Sequence, residues 1–439
     1  MNPSPAFRSL AAAVAVSLLA SCVTTNLPPI SSAGEGFEPL DDEVKLWEMS
    51  RAEEEKLLAE AALYDDPLLE EYLAGIVERL DPEGMAANRH LDYRVRVLAA
   101  PTLNAFAYPH GSIYVHTGLL ARMETEDQLA TVFGHEMSHV EYRHMLRHRR
   151  AAQNRAVALG VASVAAAVVL AHETGDAIEE GNWGRAATID VFGDLLVGLG
   201  LQLAFLAAVN GYGRDLELEA DEHGFTRLVD AGYRAGEAPR MYETLMAEAK
   251  GDSGKVETFF FGSHPQLTQR VANAEGFVAR QRAAAGGAAE EEPAEPPYDE
   301  STFHRRLRAV VRDNAALNLE IGRLDLAEKD LARAVEWLPE DPETHRLLAR
   351  LRLAQAEAGD DDQKLERRGE ALAELREAIR LDADLAAAHR DLGLLLYADG
   401  DLTAACREFR YYAELAPDAA DESRFRDYVR ELEADGACP

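Results

Sequence analysis

The chain has 439 residues, a hydrophobic fraction of 47% and a formal net charge of −33. That length calls for more than one core, and the hydrophobic fraction excludes a wholly disordered protein. So acidic a surface repels nucleic acid and anionic lipid head groups, which excludes a basic patch as the means of reaching either.

The chain opens with Arg8 and then SLAAAVAVSLLA at 9–20, an apolar run of signal-peptide length that is too short to span a bilayer comfortably. It ends in Leu19-Ala20-Ser21-Cys22, which resembles a bacterial lipobox. On that resemblance residues 1–21 are a lipoprotein signal peptide, Cys22 becomes the lipidated N-terminus, and 22–36 is a flexible tether. Val23, standing where Asp would redirect sorting, implies the periplasmic side of the outer membrane.

From residue 37 the pattern turns helical, with Leu69, Leu73, Ile76 and Leu80 spaced for one buried face. Residues 91–98 alternate, Tyr93, Val95 and Val97 against Arg94 and Arg96, as a half-buried strand does. Leu103–Tyr108 and Ser112–His116 read as two more strands around the turn Pro109-His110-Gly111. One long helix is expected from Glu124 to about Arg150. The apolar stretches 156–171 and 191–209, the second interrupted by Asp194, read as buried or site-covering helices rather than membrane spans.

The segment Phe133-Gly134-His135-Glu136-Met137-Ser138-His139-Val140 lies inside the long helix and contains HExxH. Residues four apart share a helix face, so His135 and His139 can reach one metal ion, and Glu136 comes round beside it to polarise a water. Zinc takes a third protein ligand, and Arg214-Asp215-Leu216-Glu217-Leu218-Glu219-Ala220-Asp221 offers it. Glu217 is assigned as that ligand. Asp221, one turn on, would hold a ligand histidine by its other N–H. Glu219 is expected in solvent, and His144, off the ligand face, is expected to have a packing role.

Residues 281–300, QRAAAGGAAEEEPAEPPYDE, are a low-complexity linker. Beyond it GRLDLA at 322–327 recurs as GDLTAA at 400–405, and Ala371 and Ala378 stand where Ala327 and Ala334 do. The intervals, 44 residues from 327 to 371 and 34 from 371 to 405, are those of tetratricopeptide-like repeats, the first with an inserted acidic loop around 359–364. Cys406 reads as a small core residue, and a Cys406–Cys438 disulfide is open to an exported chain.

GHEMSH, ELEAD and Ser263-His264-Pro265 together resemble the M48 peptidases, in particular the envelope protease–chaperones with C-terminal tetratricopeptide repeats. The resemblance implies one zinc ion per chain on His135, His139 and Glu217, with Glu136 as general base. His264 would close over the zinc, either as an inhibitory fourth ligand or as a polarising group. The expected fold is α+β and mostly α: a zincin-type catalytic domain with a small sheet over 37–280, the linker 281–300, and an α-solenoid over 301–439. The expected activity is endopeptidase hydrolysis of unfolded or misassembled envelope proteins, with outer-membrane assembly machinery as a further partner. The alternative is a chaperone or assembly factor that binds clients through its repeats with little proteolysis.

Overall fold

The computed structural model describes residues 23–81, 90–91, 93–158, 212–251, 267–284 and 296–438. The chain divides into two compact units, Met1–Leu98 with Thr102–Asp299, and Glu300–Pro439 with the short Ala99–Pro101. The first is built of helices around a small sheet. The second is helical throughout its described elements.

In the first unit helix α1 spans Asp41–Glu60 and α2 spans Pro67–Leu80. Asp66 caps α2 by accepting from the backbone N–H groups of Leu68 and Leu69, with Pro67 in the first turn. Its apolar face of Leu69, Leu73, Ile76, Val77 and Leu80 is buried, as the spacing predicts. Strands β1 (Arg94–Leu98), β2 (Ala105–Ala107) and β3 (Ser112–His116) form one sheet in the order β1-β3-β2. β1 runs parallel to β3, and β2 pairs with it antiparallel around a turn in which Gly111 takes a φ of 105°. Glu54 of α1 ties this hairpin down, accepting from Tyr114 Oη at 2.7 Å and facing His110 Nε2 at 2.8 Å.

After the short α3 (Thr117–Leu120) comes α4, Glu126–Glu141, capped by the Thr125 side chain. Every residue of α4 is buried, so it is the axis of the unit. Its first turn carries two fully buried carboxylates, which suit the positive end of a helix. Glu126 is met by Tyr72, Arg79 and Tyr233, while Asp127 is met by Arg234 and by Tyr298 Oη at 2.6 Å. Helices α5 (Arg214–Asp230), α6 (Glu237–Gly251) and α7 (Leu267–Ala284) complete the described part. α4 and α5 cross at Gly134 and Gly224, where a Cβ on Gly224 would stand 3.0 Å from the backbone nitrogen of His135. Glycine is what lets the two helices approach so closely.

Two expectations are corrected in this unit. The long helix does not run unbroken to Arg150: it stops at Glu141, turns at Tyr142–Arg143, and a new helix covers 144–158. Arg143 has a φ of 58°, which costs a non-glycine residue about 1–2 kcal/mol. A buried ion pair with Glu43 of α1, with Arg143 Nε donating at 2.8 Å, holds it there. Residues 23–36 are not a free tether either. Leu27 and Ile30 are buried, the Asn154 amide bonds both the N–H and the C=O of Val23, and Arg150 donates to the Thr24 carbonyl at 2.9 Å. Cys22, the apolar stretches beyond residue 158, and the Ser263-His264-Pro265 segment lie outside the described residues. Among the described residues no helix is long and apolar enough to cross a membrane.

The second unit runs α8 (Glu300–Glu320), α9 (Leu324–Trp337), α10 (Pro342–Ala358), α11 (Asp361–Leu381), α12 (Ala386–Ala398), α13 (Leu402–Leu415) and α14 (Glu422–Ala434). Helices α8 with α9, α10 with α11, and α12 with α13 pack as pairs. Ala327, Ala371 and Ala405 are wholly buried at equivalent places, and Gly322 and Gly400 end helices with φ of 75° and 83°. The extra residues of the longer repeat do not form an acidic loop. Gly359 and Asp360 make a tight turn, and the additional length extends α10 and α11 themselves, to 17 and 21 residues. The reason is local: the stretch is rich in Ala, Glu, Arg and Leu, and Asp360 with Gln363 forms a capping box. Cys406 and Cys438 are disulfide-bonded, with Cα atoms 5.8 Å apart, tying the chain's end to α13.

Each of two helix pairs carries one bracing histidine. His345 bonds Glu374 at 2.6 Å and the Pro339 carbonyl at 2.9 Å; His389 bonds Glu408 at 2.7 Å and the Ala383 carbonyl at 3.0 Å. The hydrogen bonds to the carboxylates raise both imidazole pKa values against the opposing effect of burial. A raised folded value means the stabilisation is fully present below the unfolded value of about 6.5 and fades as pH rises through the folded one. Calorimetry of the full chain is therefore expected to show this unit's melting temperature falling as pH rises above about 6.5. The double variant H345Q/H389Q should flatten that slope, and an unchanged slope would refute the assignment.

Candidate metal centre

The HExxH helix α4 and helix α5 bring His135, His139 and Glu217 together as their spacing predicts. One ligand atom from each lies within 4.8 Å of the other two, and all three side chains are buried. The two Nε2 atoms are 3.0 Å apart, and the Glu217 carboxylate stands 3.4 Å from His135 Nε2 and 3.8 Å from His139 Nε2. Three donors of borderline N,N,O character converging on one buried point fit zinc, which takes imidazole and carboxylate and keeps a further position open. Glu136 lies beside His135 on the same helix and is buried as deeply.

Asp221, one turn beyond Glu217 on α5, lies with its Oδ1 2.9 Å from His135 Nδ1. It is not alone there. Arg270 of α7 grips the Asp221 carboxylate through Nη2 at 2.6 Å and Nε at 3.0 Å, and Tyr242 of α6 donates its hydroxyl to the same carboxylate at 2.9 Å. Arg270 also donates to the Tyr242 oxygen at 2.7 Å, which closes the network. Burial alone would push the Asp221 carboxyl up, but Arg270 and His135 hold it below the ordinary range. Burial and Arg270 push the His135 imidazole down, and the Asp221 and Glu217 carboxylates outweigh them, raising it to about 9. The two carboxylates thus favour the protonated imidazole in the metal-free site, and a bound metal ion would take that proton's place.

Neither Arg270 nor Tyr242 is visible as a site residue in the sequence. A signal existed for the first. Leu267, Ala274 and Phe277 mark the buried stripe of α7, and Arg270 sits on that stripe, where an arginine requires a buried carboxylate. Tyr212, just before α5, is a third omission. Its backbone N–H donates to Glu217 Oε1 at 3.0 Å and its ring stacks on His139 with centroids 4.4 Å apart. Glu219 stays partly exposed and is paired with Arg147, its carboxylate lying on the side of His144. His264, expected over the metal, and Cys22, expected to be lipidated, lie outside the described residues, so the geometry bears on neither.

Residues 67–278 match the model of peptidase family M48. This unit is an M48 peptidase domain. The M48 unit's match takes in α2, the sheet, α4 and α5, so HExxH, Glu217, Asp221 and Arg270 all lie within it. Among curated proteins the chain is 26% identical to the mitochondrial metalloendopeptidase OMA1 of Arabidopsis thaliana, over 55% of this chain and 43% of that one. It is 28% identical to the putative beta-barrel assembly-enhancing protease of Vibrio cholerae, over 42% of this chain and 34% of the other. It is 26% identical to the beta-barrel assembly-enhancing protease of Escherichia coli, over 52% and 42% of the two chains. The chain therefore spans less than half the length of these relatives.

Proposed function

We propose that the chain is a zinc-dependent endopeptidase of the bacterial cell envelope, acting on unfolded or misassembled envelope proteins. The observation that carries the reading is the buried convergence of His135, His139 and Glu217 beside Glu136. Zinc held there supplies Lewis acidity, polarising the scissile carbonyl and easing the ionisation of water. Glu136 takes the proton of the attacking water and returns it to the leaving amine, while Asp221 and Arg270 keep the His135 ring in one orientation.

The envelope setting is supported by the lipobox-like Leu19–Cys22, by relatives that include beta-barrel assembly-enhancing proteases, and by the Cys406–Cys438 disulfide, which suits an oxidising compartment. On this reading the chain is lipid-anchored through Cys22 on the periplasmic side of the outer membrane, and its helical unit consists of tetratricopeptide-like repeats that meet clients or assembly machinery. A client-binding role with little cleavage is the second reading. It is favoured by a groove between α10, α11 and α12, where Leu353 and Leu394 lie among Arg350, Lys364 and Arg368.

The experiment is zinc content measured beside cleavage of casein. About one zinc per chain is expected, with cleavage abolished by 1,10-phenanthroline and restored by added zinc. A metal-free protein would sink the site. A zinc-loaded protein that binds clients and never cleaves them would move the function to the second reading.

A further inference from the structure

The two ligand histidines are held by different groups at their second nitrogens. His135 has Asp221, whereas His139 Nδ1 lies 2.8 Å from Nδ1 of another histidine, the wholly buried His144. Behind it, His144 Nε2 faces Glu219 Oε2 at 3.6 Å, and Arg147 Nη1 donates to both oxygens of Glu219 at 2.9 Å.

This contact is not a by-product of helical spacing. On an unbroken helix a residue five positions on lies about 140° round the axis and cannot face back. The helix break at Tyr142–Arg143 is what returns His144 to His139, and Arg143 is the one non-glycine residue with positive φ among those described. A costly backbone conformation at a site, held in place by a buried ion pair to Glu43, is where a functional constraint is to be sought.

The chemistry of the contact runs in one direction. A histidine that gives Nε2 to a metal carries its proton on Nδ1. The facing Nδ1 of His144 must then accept that hydrogen bond, which puts the proton of His144 on Nε2, towards Glu219. We propose that His144 is a positioning residue of the metal centre: as a neutral acceptor it fixes the tautomer and ring angle of His139, while the Glu219 carboxylate, held by Arg147, favours the His144 proton on Nε2 by charge across 3.6 Å rather than by a hydrogen bond. This rests on the metal-centre reading above.

The test uses the full chain and zinc affinity measured by competition with a chromophoric chelator, with visible absorption of the cobalt-substituted protein beside it. H144F fills the space and cannot accept; H144N places an amide oxygen where Nδ1 stood. H144F is expected to bind zinc about 10- to 100-fold more weakly and to change the cobalt bands, and H144N to recover most of the affinity. Wild-type affinity and an unchanged cobalt spectrum in H144F would overturn the proposal. Equal losses in H144F and H144N would overturn it too, by showing that packing is all His144 supplies. Should H144F not fold, E219Q decides: weaker zinc binding at an unchanged melting temperature supports the relay, and unchanged affinity refutes it. If wild-type protein binds no zinc, the metal-centre reading itself fails, a result distinct from all of these.

Discussion

Glu136→Gln is expected to lower casein cleavage by about 10²- to 10⁴-fold, the range for loss of a general acid–base group, while zinc content stays as in wild type. Glutamine keeps the shape and hydrogen-bonding reach of the side chain but cannot take a proton at neutral pH. Glu136 is buried on the central helix, one residue from His135 and outside the His135–His139–Glu217 set, so its removal subtracts proton transfer without subtracting a ligand. The measurement is kcat on casein beside metal analysis of the same preparation. Loss of zinc together with activity would show Glu136 to be part of the metal's support. Full activity with zinc bound would place the base elsewhere. If client binding survives in this variant, binding and cleavage are separable, and the helical unit can then be studied with cleavage silenced.

The second large effect is expected at a residue distant in sequence from both motifs. Arg270→Met removes the cation that faces Asp221, both side chains being buried. Breaking a buried pair by deleting one member leaves the other charge uncompensated, which costs about 3–5 kcal/mol. For a unit of this size that lowers the melting temperature by about 6–20 °C at roughly 2–4 °C per kcal/mol. The carboxylate that loses Arg270 also takes up a proton more readily and orients His135 less firmly, so zinc affinity should drop with stability. The double variant R270M/D221N, which removes the stranded charge, should recover part of the stability without the zinc affinity. Calorimetry and chelator competition on the three proteins check this; a melting temperature within about 2 °C of wild type in R270M would show that the pair does not stabilise the fold.

How much of this was legible beforehand follows the range of the interaction involved. Ligands on α4 are four residues apart because that is one turn of a helix, and Glu217 and Asp221 repeat the interval on α5, so the metal centre is readable from local spacing. The same holds for the stripe of α2, the alternation of β1 and the small residues recurring through the second unit. Each is a periodicity imposed by one element's own geometry.

What escaped is of another kind. His144 was set aside because a continuous helix would turn it away, and the break that turns it back depends on Glu43, a hundred residues earlier. Residues 23–36 look like a tether because their composition is that of a linker, yet Ile30 is buried, and Leu27 and the backbone at Thr24 find partners on α1 and the helix over 144–158. Arg270, Tyr242 and Tyr212 reach the site from three other places in the chain, and no spacing connects them to HExxH. The sequence by itself determined which atoms can bind a metal, because that depends on residue type and helical repeat. Only the tertiary structure decided which buried charges and tautomers hold those atoms in place, because a group taken out of water must find its partner wherever the fold has brought one.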